Sequence, residues 1–216
     1  MKVTNIETRR RHLAAVSLYP QGEKIETAEY EGEKLLIDRE ILRRCGIGIG
    51  TELEAKEVEE LTFVSESYRA KERAVWYLSK ADTTEKALFE KLCRNFSQKA
   101  AAFAVAQMVK KGYLNDQRFA ENYANSLINR NVSKRAALGK MLQKGVPLDI
   151  AKEVLAKSQE DESLAALALL ETKYKNKLKS EDGIRKTIAA LARRGFSYSD
   201  IKTALEEFSK KEDLNV

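Results

Sequence analysis

Shifted by fifty residues, this chain lies on itself three times. Leu88, Leu138 and Ile188 fall in register, as do Leu92, Leu142 and Ala192. A cation follows in each copy (Arg94, Lys144, Arg194), then Asn95, Gly145 or Gly195, then Phe96, Val146 or Phe196. A period of this length belongs to stacked supersecondary units, each unable to bury its apolar face alone. Such arrays present binding surfaces and seldom build catalytic chemistry.

The spacing inside the period is helical. Val75, Trp76 and Leu78, then Leu88, Phe89 and Leu92, give i, i+3, i+4 apolar steps, and Ala100 to Met108 is a third helix closing at Gly112. In the second copy Asn115 or Asp116 caps a helix carrying Phe119, Tyr123, Leu127 and Ile128. Ser133 caps the next, with Leu138, Met141 and Leu142, and Pro147 opens a third with Ile150, Val154 and Leu155. The third copy runs through Leu164, Leu167 and Leu170, then Ile184, Ile188 and Leu191. A capping box at Ser197 to Asp200 then opens its last helix.

The N-terminal part differs. Thr4, Ile6 and Thr8, then Ala14, Val16 and Leu18, alternate with polar neighbours, and Ile25, Thr27 and Lys34 to Ile37 flank a hairpin turn at Glu31-Gly32. Asp38 caps a short helix ending at Cys45, with Gly46 in the left-handed position. Gly46 to Thr51 is glycine-rich, but it follows a helix and completes no phosphate-loop pattern, so it reads as a turn before a capping box at Thr51 to Glu54. The fold expected is mainly α: three tandem three-helix repeats forming a curved array, preceded by a small N-terminal β unit. The boundaries are 1–50 for the β unit with its short helix, 51–67 for a lead-in helix, and 68–115, 116–160 and 161–216 for the repeats.

Charge distribution narrows the function. The net +6 resolves into −4 over residues 1–67, +9 over 68–160 and +1 over 161–216. A basic stretch of this size favours a polyanion or an acidic protein face as partner. His12 is the single histidine, which removes Ser-His-Asp, Cys-His and multi-histidine metal sites together. Adjacent carboxylates such as Glu59-Glu60 do not face one another on a helix, and no Walker sequence is present. No enzyme, cofactor or metal is expected. Cys45 and Cys93 read as reduced thiols of a cytoplasmic protein, no apolar run approaches the ~18 residues of a membrane span, and no secretory signal opens the chain.

The repeated cations carry two readings. A cation in the last helical turn is stabilised by the helix dipole, by ~0.3–1 kcal/mol. Aligned by stacking, Arg94, Lys144 and Arg194 would also form a stripe tracking a phosphate backbone. Lys86, Lys91, Arg130, Lys134, Arg135 and Lys140, with Arg185, Lys186 and Arg193, are further candidates, or else a solvated helix face. Arg9-Arg10-Arg11-His12 is either a secondary nucleic-acid contact or a blunted strand edge. Tyr113 and Phe119 could stack on bases, but packing at a helix junction is the favoured role.

The stretch Lys111-Gly112-Tyr113-Leu114-Asn115-Asp116-Gln117-Arg118-Phe119-Ala120 closely resembles the hallmark of the RecX family, regulators of the RecA recombinase. Arg130 and Lys140 to Val146 are similar to that family's second repeat, and Gly195-Phe196-Ser197 with Asp200-Ile201 and Ala204-Leu205 to its third. Residues 51–68 look like the lead-in helix of its longer members. The likeness covers roughly residues 50–210, with one departure: Ser79 to Thr83 replaces an Arg-x-x-Ser-type sequence. The resemblance implies a non-catalytic monomer that lies in the groove of the RecA filament on single-stranded DNA, alters ATP turnover and strand exchange, and also meets double-stranded DNA. A direct nucleic-acid-binding helical repeat protein is the alternative.

Overall fold

The computed structural model describes residues 1–9, 13–19, 33–158 and 161–213. The hairpin turn at Glu31-Gly32, the residues Ile25 and Thr27, and Arg10 to His12 lie outside the described residues. Three strands, β1 (Lys2–Thr8), β2 (Leu13–Tyr19) and β3 (Glu33–Asp38), precede ten α-helices among the described residues. These are α1 (Arg39–Arg44), α2 (Ala55–Leu78), α3 (Glu85–Leu92), α4 (Gln98–Lys110), α5 (Asp116–Ile128), α6 (Lys134–Gln143), α7 (Leu148–Lys157), α8 (Glu162–Leu169), α9 (Glu181–Arg193) and α10 (Tyr198–Asp213). Helix α2 runs unbroken across residues 67 and 68, so the lead-in segment and the first helix of the first repeat are one rod. Two compact units result: Met1–Asp82 with Leu88–Leu114, and Thr83–Ala87 with Asn115–Val216.

In the first unit the antiparallel order is β1-β2-β3, and a register shift between Val3 and Asn5 brings Val3 and Ile6 to the same core. Val16, Leu18 and Ile37 close that core with Ile41, Leu42, Val58 and Leu61. The glycine-rich segment is the expected turn, and it also covers the edge of β1: Val3 N–H donates to Thr51 O and Gly50 N–H to Val3 O. Thr51 does not open α2. Its hydroxyl accepts Gly48 N–H, and Glu57 instead reaches back to Glu54 N–H at 2.8 Å. Asp38 caps α1 as expected, and its own N–H donates to the Ser65 hydroxyl of α2. The rest of α2 packs on α4 through small side chains, Ala70 and Ala74 against Ala100, Ala101 and Ala104, all fully buried. Val75 and Trp76, expected on the buried face, are about half exposed because the alanine seam lies on the other side of the rod.

In the second unit α5, α6 and α7 enclose Ala120, Leu127, Met141, Val146 and Leu155, while α8, α9 and α10 enclose Leu167, Leu170, Leu191, Phe196 and Ile201. Leu142 and Leu164, expected inside, face outward. Helix α8 ends in a π turn (Leu170–Tyr174) that keeps Tyr174 buried.

Two joints of identical chemistry organise this unit. Thr84 accepts Ala87 N–H at the start of α3, and its hydroxyl donates to Lys144 O at 2.7 Å. Ser133 accepts Ala136 N–H at the start of α6 and donates to Arg194 O, also at 2.7 Å. Carboxylates complete both: Asp116 accepts Glu85 N–H and Glu162 accepts Lys134 N–H. The C-terminal carbonyls of one second helix thus meet the N-terminus of another, a favourable dipole arrangement. Helices α6 and α9 end alike, with Gly145 and Gly195 at φ of 89° and 94° and the next residue's N–H bonded five residues back, to Met141 O or Leu191 O.

The joints also explain why glycine is required there. A Cβ on Gly145 would lie 2.8 Å from the Thr84 hydroxyl, and one on Gly195 would lie 2.6 Å from the Ser133 hydroxyl. The first copy is built differently. Phe96 N–H bonds only four residues back, to Leu92 O, and Asn95 is not at positive φ. Buried Leu88 and Leu92 therefore correspond to buried Ala137 and Met141, one residue off the fifty-residue register.

Gly195→Ala should lower stability by about 2 kcal/mol or more, from left-handed strain and the hydroxyl contact. Gly139→Ala, with open space around a helical glycine, should raise it by about 1 kcal/mol. Urea melts of both variants check the pair, and equal effects would reject the joint as the reason for glycine.

Burial pushes the Asp116 carboxyl above its ordinary range, partly offset by the bond from Glu85 N–H. Glu85 is raised too, by burial first and by the Asp116 charge second. The folded form therefore holds these protons more tightly than the unfolded chain. Their contribution is full below the ordinary carboxylate range, about pH 4, and is lost as pH rises through the raised folded values. Asp116→Asn keeps the acceptor oxygen, so it should flatten the decline in Tm above about pH 4. A scan of Tm against pH reads this directly.

Candidate functional site

The joints bring expected cations together. The atom that would replace a hydrogen on Gly145 lies 3.1 Å from Lys86 Cβ, which sets Lys86 beside Lys144; on Gly195 the distance to Arg135 Cβ is 3.3 Å, which sets Arg135 beside Arg194. Because main-chain carbonyls and cap hydroxyls make the joint, all four side chains stay exposed. None has an ion pair among the described residues. Arg130, Lys140 and Arg193 are likewise exposed in the same unit, with no ion pair among the described residues.

Other candidates are already engaged. Lys134 donates to Ser158 O at 2.9 Å and is half-buried. Arg185 and Lys186 bridge Glu181 and Asp182 one turn earlier on α9, which reduces the charge they offer. In the first unit Lys91 lies over the Tyr77 ring at 5.6 Å, whereas Arg94 is exposed. Lys144 and Arg194 occupy equivalent helix ends, while Arg94 follows the differently built end of α3, so the three do not share one local geometry. Just past the end of β1, Arg9 pairs with Glu7.

The hallmark stretch is a structural corner. Gly112 has φ of 71°, Leu114 is buried, Asn115 caps α5 through Arg118 N–H, and Asp116 belongs to a joint. Phe119 packs against the α5–α7 core as expected, but Tyr113 is 57% exposed, because the chain turns outward past Gly112. Sequence reasoning missed Thr84 and Glu162 as joint residues and gave Ser133 only a capping role. The signal was available in the recurrence of a hydroxyl residue just before each second helix. It also missed the cation–aromatic cluster of α2, where Arg73 and Lys80 lie 5.5 and 5.9 Å from the Trp76 ring.

Among the described residues no helix is long and apolar enough to cross a membrane. Residues 115–155 match the model of the second three-helix domain of RecX, and residues 160–205 that of the third. The chain is 26% identical to the regulatory protein RecX of Clostridium perfringens (strain SM101 / Type A), over 98% of each chain. It is 28% identical to that of Streptococcus sanguinis (strain SK36), over 99% of this chain and 79% of the relative. A crystal structure of regulatory protein RecX superimposes with a TM-score of 0.66 at 18% identity, covering 95% of this chain and 98% of the other. That of RecX from Lactobacillus salivarius gives 0.62 at 20% identity, over 68% and 98%. The three-helix units, the two domain models and relatives matched along nearly the whole chain agree: together they support a RecX family protein.

Proposed function

We propose that this chain regulates a RecA-type recombinase without chemistry of its own, by lying in the groove of the RecA–single-stranded DNA filament and inhibiting ATP hydrolysis and strand exchange. The observation that carries the reading is the pair of joints that set Lys86 beside Lys144 and Arg135 beside Arg194, exposed and without carboxylate partners among the described residues. A regulator that binds one filament conformation better than another shifts its equilibrium by that difference in affinity. Arg94, Arg130, Lys140 and Arg193 extend the proposed contact, with Lys91, Lys134, Arg185 and Lys186 contributing less because their charges are already engaged.

The test compares bare single-stranded DNA, RecA alone and RecA-coated DNA as binding targets, followed by ATPase and strand-exchange assays. A clear preference for the coated filament is expected. Preference for bare DNA would favour the direct nucleic-acid-binding alternative. Changing Lys86, Arg135, Lys144 and Arg194 together to alanine leaves the joint's main-chain carbonyls in place, and should weaken inhibition about tenfold, ~1.4 kcal/mol. Unchanged inhibition by the folded variant rejects these cations as the contact. If about six cations meet phosphates, log affinity for DNA should fall against log salt with a slope of about −4 to −5.

A further inference from the structure

The first unit carries a second surface of different chemistry. Between α1, α2 and α4 lies a cavity of about 280 Å³ bordered by Ile41, Phe63, Val64 and Phe103, with Tyr68, Lys71 and Arg44 at its rim. Val64, Tyr68 and Phe103 are 49%, 40% and 39% exposed, an outward apolar patch that burial elsewhere in the unit does not require. Ser67 borders the cavity, is 3% exposed, and its hydroxyl has no hydrogen-bond partner among the described residues. An orphaned buried hydroxyl is costly, and an incoming polar group would relieve it.

The charges around the cavity select the occupant. Among the described residues no carboxylate borders it, while Lys71 stands 5.7 Å from the Phe103 ring and 5.8 Å from the Tyr68 ring, and Lys99 stands 4.6 Å from the Phe63 ring. Lys71 and Lys99 have no ion pair among the described residues, whereas Arg44 shares Glu40. Phe63 and Phe103 meet edge to face at 5.8 Å, and each carries an ammonium over its ring, so a base stacking there would compete with a cation already in place. The cavity has room for one or two apolar side chains, and its rim is cationic.

We propose that this cavity docks an acidic amphipathic segment of a partner protein. An apolar side chain enters between Val64, Phe63 and Phe103, carboxylates on the segment's other face meet Lys71 and Lys99, and the Ser67 hydroxyl bonds a polar group of the segment. This is helix-in-groove recognition with charge complementarity at the rim. It goes beyond the proposed filament contact and uses none of the same residues.

The probe is a fluorescein-labelled helical peptide with leucine on one face and glutamate on the other, read by anisotropy against the full chain. A matched peptide with lysine in place of glutamate is the control. Saturable binding of the acidic peptide alone is expected, with Lys71→Glu plus Lys99→Glu weakening it about tenfold and Val64→Glu abolishing it. Ser67→Ala should leave the free protein at least as stable, since it removes the orphaned hydroxyl, and should still lower peptide affinity. Both peptides binding equally, neither binding up to the solubility limit, or unchanged affinity in the lysine variants would overturn the proposal. So would self-association in sedimentation that Val64→Glu abolishes, which assigns the patch to a second copy, or displacement of the peptide by an oligonucleotide.

Discussion

A hydroxyl that caps one helix while donating to the last carbonyl of another is the contact on which the second unit depends. Thr84 and Ser133 each do both, at closely matched distances, and each joint is completed by a carboxylate on the neighbouring main-chain N–H. A helix end exposes several unpaired main-chain groups. Placing a C-terminus against an N-terminus satisfies both sets at once, and it aligns their partial charges favourably. It also leaves no room for a side chain at Gly145 or Gly195, so the glycines follow from the joint as much as from their own turn. Since main-chain carbonyls and cap hydroxyls do the joining, Lys86, Lys144, Arg135 and Arg194 stay exposed and make no ion pair among the described residues.

The first unit is held by other means. Alanines at the α2–α4 seam let two helices approach closely, and the Asp38–Ser65 bond ties the end of the sheet to the long rod. Packing through small residues consumes one side of α2 and α4, while larger side chains off that seam are left outward. Trp76, Tyr68, Val64 and Phe103 are outward for that reason, and lysine and arginine ammonium and guanidinium groups settle over several of the rings. The second unit thus exposes lysines and arginines at its joints, and the first exposes aromatic rings with cations beside them.

Much of this was legible in the chain. Caps at Asp38, Ser133, Asn115 and Ser197 follow from residue type and position, and positive φ at Gly46, Gly112, Gly145 and Gly195 follows from glycine after an apolar-periodic run. Capping is local, so a sequence reveals it. The fifty-residue register was less faithful. It holds between the second and third copies, but slips by one in the first, where α3 ends without a left-handed residue. The aligned apolar residues Phe96, Val146 and Phe196 concealed the slip, because the apolar residue after the helix stays in register even when the turn before it has one residue fewer. The choice of buried face on α2 failed for a related reason: large apolar residues suggested a core stripe, and the small ones formed it.

Sequence by itself determined the helical period, the strand unit, the caps, the glycine turns and the excess of positive charge, all of which depend on neighbours within a few residues. Tertiary structure alone decided which cations are free and which are spent on Glu181, Asp182, Ser158 O or the Tyr77 ring. It also decided that Lys86 stands beside Lys144, about sixty residues away, and that Val64 and Phe103 share one cavity. Charge and apolarity are properties of residues. Adjacency across such separations is set by how helix ends meet and which side chains are small enough to let backbones approach.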